Sequence, residues 1–179
     1  MKKQAMMMGV ALAAFATVGL STARAAEQLH EAQSVEIAAP PAKVWGIIEN
    51  FGDLTWVPPV KSSTATEGNT VGSVRTLDLG GPKLMEQLVS YDPAKHSYTY
   101  KITDDTANKK TLPVSHYRSV ITVLPGSGSG SKVTWTGSFE RADTGASPAA
   151  GMDDASAKKG VAGVYKVGLD NLKKKAEGG

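Results

Sequence analysis

The sequence contains no cysteine among its 179 residues. That excludes a disulfide framework, a zinc–thiolate centre and a cysteine nucleophile. It also lacks a Gly-x-Ser-x-Gly elbow, a His-Glu-x-x-His pair and a phosphate-binding loop, the compact signatures of hydrolases, metalloproteases and nucleotide enzymes. The three histidines, His30, His96 and His116, are scattered over the N-terminus and two separate strand-like segments, so neither a metal nor another cofactor is expected. No apolar run after Leu20 approaches the roughly 20 residues that a membrane-spanning helix needs.

An excess of charge is missing too, once its location is considered. The whole chain carries a formal +3 and a sequence pI near 9.0, which by itself suggests a polyanionic partner. Lys2 and Lys3, however, precede an apolar run from Ala5 to Leu20, and Ala23-Arg24-Ala25 follows with small residues at a cleavage spacing. This is the pattern of a secretory signal peptide over residues 1–25. The mature chain is expected to begin at Ala26, to be periplasmic and to span no membrane. Without Lys2, Lys3 and Arg24, 17 basic residues face 17 acidic ones, and no nucleic-acid footprint is expected. The lysines of the last segment, Lys158, Lys159, Lys166 and Lys173 to Lys175, read as a solvated helix face.

Residues 26–179 show one pattern change after another and no repeat. Gln33 to Ile37 alternates like a strand. Pro40-Pro41 then suits a helix start, and Val44, Ile47, Ile48 and Phe51 recur at helical spacing. Asp53 can cap a second short helical turn through Trp56, ended by Pro58-Pro59. Six strands follow, at about 60–66, 71–79, 82–91, 96–103, 114–124 and 132–141, with the longest loop between Asp104 and Pro113. Gly126 to Ser131 reads as a hairpin tip, since strand patterns flank it on both sides. A helix from Asp154 to Ala176 closes the chain, with Val161, Val164, Tyr165, Leu169 and Leu172 as its apolar face. Short connections favour antiparallel pairing. The fold class is therefore α+β: a curved antiparallel sheet of about seven strands wrapped around a long C-terminal helix, with two short helices after the first strand. Gly160, Gly163 and Gly168 weaken that helix by about 1 kcal/mol each, which points to close packing or open space beside them.

The stretch from Val71 to Ser90 carries most of the chemistry. Gly80-Gly81 is a hairpin turn signal, and a two-residue turn there sets Leu77 opposite Leu84 and Arg75 opposite Glu86. Alternation then places Arg75 and Glu86 on one face with Leu77, Leu79, Leu84 and Leu88. An opposed charge pair on an apolar face adds little net stability when desolvated, so it reads as a polar anchor inside an apolar cavity. An exposed Arg75 would refute this. By the same parity Tyr98 and Tyr100, Tyr117 and Ser119, and Trp135 and Phe139 are candidate lining from the later strands, with Val164 from the helix. If the protein is an enzyme, Glu86 is the candidate general base, with Arg75 or Tyr117 polarising a carbonyl.

The run Val35-Glu36-Ile37-Ala38-Ala39-Pro40-Pro41-Ala42-Lys43-Val44-Trp45 resembles the opening motif of the START/Bet v 1-like superfamily, also called SRPBCC or helix-grip proteins. Gly72-Ser73-Val74-Arg75, Glu86-Gln87-Leu88 with Tyr91-Asp92, Tyr117-Arg118-Ser119 and Gly163 to Leu172 follow in the expected order. Within the superfamily the chain is similar to the polyketide cyclase/dehydrase and lipid-transport group, and to the MxaD-type exported proteins of methylotrophs. It departs from the abscisic-acid receptors of that group in its tight Gly80-Gly81 turn and in Leu112-Pro113-Val114, which lacks their basic latch. The resemblance implies a helix-grip fold with a cavity between sheet and C-terminal helix, lined in relatives at the positions of Arg75, Glu86, Tyr117 and Ser119. It further implies a small hydrophobic or amphiphilic ligand. The expected role is a non-enzymatic periplasmic accessory, with methanol dehydrogenase and its cytochrome c as possible partners. Two alternatives compete: a cyclase or dehydratase acting on a polyketide-like carbonyl compound, and a pure protein-interaction module docking through Trp56 and Pro58-Pro59.

Overall fold

The computed structural model describes residues 26–103 and 109–178. The expected signal segment, residues 1–25, and the middle of the longest loop lie outside the described residues. In chain order the elements are β1 (Leu29–Ile37), α1 (Pro41–Ile48), β2 (Ser62–Ala65), β3 (Val74–Asp78), β4 (Leu84–Asp92), β5 (Ser97–Ile102), β6 (Val114–Pro125), β7 (Ser131–Arg141) and α2 (Asp154–Gly178). The strands form one antiparallel sheet in the order β1-β7-β6-β5-β4-β3-β2. Consecutive strands from β2 to β7 are neighbours because each is joined to the next by a short connection, and β1 returns to pair with β7.

The sheet curves around α2, which packs against β1 and β7. Along β7 burial alternates strictly, with Val133, Trp135, Gly137 and Phe139 inward, as a strand with one solvated face requires. Helix α2 is capped at its start by Asp153, whose carboxylate accepts the Ser156 N–H at 2.8 Å and is held below the ordinary carboxylate range by that bond. Its buried stripe runs through Val161, Tyr165, Leu169 and Leu172. Two of the three glycines mark close approaches. A Cβ on Gly168 would lie 2.7 Å from Trp135 and 3.2 Å from Val57, and one on Gly160 3.2 Å from Leu112 and Pro113. Gly163 faces open space.

Three expectations change. β1 begins at Leu29, four residues earlier than its alternation suggested, because Leu29 to Ala32 pair with Phe139 to Thr136 of β7. Helix α1 ends at Ile48, leaving Phe51 buried in the following turn. The second short helix does not form. Asp53 instead closes a local turn, its carboxylate accepting Thr55 N–H at 2.8 Å and Thr55 O–H at 2.6 Å. Residues 51–60 therefore run as an irregular segment that tucks Leu54, Trp56 and Val57 into the core.

Candidate functional site

The β3–β4 hairpin sets the geometry. Arg75 pairs with Glu86 and Leu77 with Leu84 across it, the register that Gly80-Gly81 implies, and Gly80 takes the left-handed conformation at φ 86°. Arg75 is 0% exposed and Glu86 4%, so the pair is desolvated. The guanidinium gives two hydrogen bonds to the same carboxylate oxygen, Nε to Oε2 at 3.0 Å and Nη2 to Oε2 at 2.6 Å, and a third from Nη1 to the Phe51 carbonyl at 2.9 Å. Its faces are taken by aromatic rings, with the Phe51 centroid at 4.3 Å and the Tyr100 centroid at 5.1 Å. Burial is the largest single influence and pushes the guanidinium down, but the charge and hydrogen bond of Glu86 together with Tyr98 and Tyr100 outweigh it and hold Arg75 above its ordinary value.

Beside this pair lies a cavity of about 220 Å³. The hairpin supplies Leu77, Leu79, Leu84 and Glu86 to its wall. Tyr100, Tyr117 and Trp135 form the floor, and α2 contributes Val164. Leu54, Val57, Pro59 and Val60 come from the irregular segment after α1, and Thr111 and Leu112 from the loop before β6. The half-exposed members, among them Val60, Leu79, Leu112 and Val164, mark the mouth. Two hydrogen bonds hold its rim. Asn171 Nδ2 donates to the Trp56 carbonyl at 2.8 Å, and Thr111 Oγ1 to the Pro82 carbonyl at 3.3 Å.

The floor is a chain of hydroxyls. Tyr100 and Tyr117 oxygens are 3.5 Å apart, Tyr117 and Tyr165 2.8 Å, and Tyr165 and Ser119 2.9 Å. Ser119 donates to the Thr136 carbonyl at 2.8 Å, and the Trp135 indole N–H is shared between Tyr100 Oη at 3.0 Å and Ser119 Oγ at 2.9 Å. Burial pushes the Tyr100 and Tyr117 phenols well above their ordinary value, and Tyr165 up to about 12.

Of the candidate lining residues, Leu77, Glu86, Tyr100, Tyr117, Trp135 and Val164 meet at this cavity. Five do not reach it. Arg75 sits behind Glu86. Ser119 is used up in the hydroxyl chain beneath the floor. Tyr98 is enclosed by the rings of Trp45, Phe51 and Tyr100. Phe139 stacks obliquely beyond Tyr117, and Leu88 is core. Of the segment expected to dock a partner, Trp56 is 2% exposed and packed on Trp135 at 5.4 Å between centroids, whereas Pro58 and Pro59 are exposed. Leu54, Val57, Val60, Thr111 and Leu112 are not legible as wall residues in the sequence, because irregular segments carry no periodicity that would show which way they face. Among the described residues no cluster of three or more His, Asp or Glu could hold a metal, and no helix is long and apolar enough to cross a membrane.

Comparison with known proteins agrees with this architecture. The family model described as "Polyketide cyclase / dehydrase and lipid transport" matches residues 28–177. Among solved structures, XoxI from Bacillus cereus is 32% identical, with a TM-score of 0.68, over 82% of this chain and 94% of its own. A Thermobifida fusca protein is 26% identical with a TM-score of 0.65, over 82% of this chain and 92% of its own. Norcoclaurine synthase from Thalictrum flavum, solved with dopamine and hydroxybenzaldehyde, shares the fold at 12% identity and a TM-score of 0.60, over 94% of this chain and 96% of its own. No curated protein matches the sequence.

Proposed function

The chain belongs to the polyketide cyclase/dehydrase and lipid-transport family, and from that premise we propose that it is an exported, non-enzymatic carrier of a small amphiphilic molecule. The observation that carries this reading is the cavity itself: an apolar chamber between hairpin and helix with one carboxylate in its wall. Pockets for drug-sized ligands run from about 300 to 1,000 Å³. The smaller volume here suits a single-ring compound or a short chain. A cavity left empty would forgo the dispersion contacts of its lining, so a resident molecule is the physical use for it.

Export rests on the N-terminal pattern of residues 1–25. The accessory role in methanol oxidation rests on the sequence resemblance to MxaD-type proteins, to which the match with XoxI adds. Recovery of the protein from its own cells tests all three parts. Its N-terminus is expected at Ala26, its native mass spectrum is expected to include a bound small molecule, and immobilised protein is expected to retain methanol dehydrogenase or its cytochrome c. An intact Met1, a mass equal to the bare chain and an empty pull-down would each remove the corresponding part.

A further inference from the structure

The hydrogen bonds around the cavity determine which polar group it can receive. Both Arg75 contacts to the carboxylate fall on Oε2. Oε1 takes no hydrogen bond among the described residues, although Glu86 is 4% exposed and lines the cavity. That oxygen is an unmatched acceptor aimed at the chamber. The guanidinium cannot compensate there. Three of its five N–H donors go to Glu86 and Phe51, its faces are covered by Phe51 and Tyr100, and it is fully buried and not part of the wall.

The hydroxyl chain can be assigned a direction. The Thr136 carbonyl can only accept and the Trp135 N–H can only donate. Ser119 gives its proton to Thr136, so its oxygen accepts from Tyr165, and the Tyr165 oxygen in turn accepts from Tyr117. Each proton points away from the cavity except one. The Tyr100 hydroxyl already accepts from Trp135, and the nearest acceptor for its own proton is Tyr117 at 3.5 Å, the outer limit of a hydrogen bond. Tyr100 and Glu86 are diagonal neighbours on the same face of β5 and β4, with Glu86 opposite Ile102 and Leu88 opposite Tyr100. The chamber therefore offers one acceptor and one nearby donor.

We propose that the cavity selects a small neutral alcohol or phenol, whose hydroxyl donates to Glu86 Oε1 and accepts from Tyr100, and that it rejects carboxylates. This rests on the carrier reading and names its ligand class. A hydroxyl satisfies both groups at once. A ketone would satisfy Tyr100 alone and leave the Glu86 oxygen buried and unpaired. A carboxylate would face another carboxylate, with the Arg75 cation sealed behind it, so the fatty-acid class of lipid is disfavoured.

Calorimetric titration of the mature chain at pH 7 with three molecules of one shape, p-cresol, toluene and p-toluate, tests this directly. A hydrogen bond to a charged acceptor corresponds to about tenfold in affinity or more, so p-cresol is expected to bind about tenfold tighter than toluene, with p-toluate weakest. Tyr100→Phe keeps the ring and leaves Ser119 to accept the Trp135 N–H, so the fold is retained and the gap between p-cresol and toluene narrows. Equal binding of p-cresol and toluene, or p-toluate binding as well as p-cresol, overturns the ligand class while the carrier reading stands. Failure of all three to bind overturns both.

Discussion

Arg75 and Glu86 behave energetically as one object. Each is tolerable in the interior only because the other is there, and the Coulombic gain is largely offset by the loss of water around both. Arg75→Met leaves the Glu86 carboxylate buried beside Phe51 and Tyr100 without its cation, and is expected to cost about 3–5 kcal/mol of stability. The double substitution Arg75→Met with Glu86→Leu removes both charges at similar volume and is expected to be neutral, or more stable than the wild type by about 1–4 kcal/mol. Urea unfolding of the four-member cycle checks this; a double variant as unstable as the single would mean that the pair serves the fold and not the cavity. The pair itself could be read from the sequence, because the Gly80-Gly81 turn sets the register and register decides which side chains face each other. Which carboxylate oxygen Arg75 uses could not be read. That depends on the Phe51 carbonyl arriving from a segment 24 residues away and drawing Nη1 toward it.

Helix α2 and the segment after α1 meet at Gly168, and the fit there is tight. A methyl group at this position would press on the Trp135 ring at 2.7 Å and on Val57 at 3.2 Å. Overpacking of this kind costs about 1–3 kcal/mol, so Gly168→Ala is expected to lower the thermal midpoint despite the higher helix propensity of alanine. Gly163→Ala, with open space beside its Cβ, is expected to raise it. Differential scanning calorimetry of the two variants separates a packing glycine from an incidental one, and a gain in stability for Gly168→Ala would refute the close approach. At this scale the sequence declares its strands and its long helix through periodicity. It does not declare the 51–60 segment, whose course is set by tertiary bonds such as Asn171 to the Trp56 carbonyl. The apparent second helix after Asp53 fails for a local reason: the carboxylate bonds both the N–H and the hydroxyl of Thr55, an alternative that competes with helix formation.

The molecule as a whole keeps four of its five tyrosines in the interior, and this gives its stability a defined response to alkali. Burial raises Tyr98, Tyr100 and Tyr117 above the ordinary phenol value, and raises Tyr165 to about 12. A raised folded value means that the unfolded chain releases its protons first as pH increases. Stability is therefore complete below about pH 10, where free phenols stay protonated, and falls as pH rises toward 12. The slope is about 1.4 kcal/mol per pH unit for each such tyrosine that is ionised only in the unfolded state. Urea midpoints at pH 7, 9 and 11 are expected to be nearly flat over the first interval and to drop over the second; a constant midpoint through pH 11 would show that the hydroxyl chain is hydrated. The opening charge excess looks different at this scale too. It lies in residues 1–25, and the folded domain is organised around a neutral pair in a neutral chamber. Whether that chamber receives a molecule is tested most directly by a two-dimensional NMR titration of residues 26–179 with p-cresol. Saturable shifts are expected at the amides around Leu77, Leu84, Leu112 and Val164. Shifts that never saturate, or that gather away from the cavity on the exposed face of α2 near Val167, would contradict the carrier.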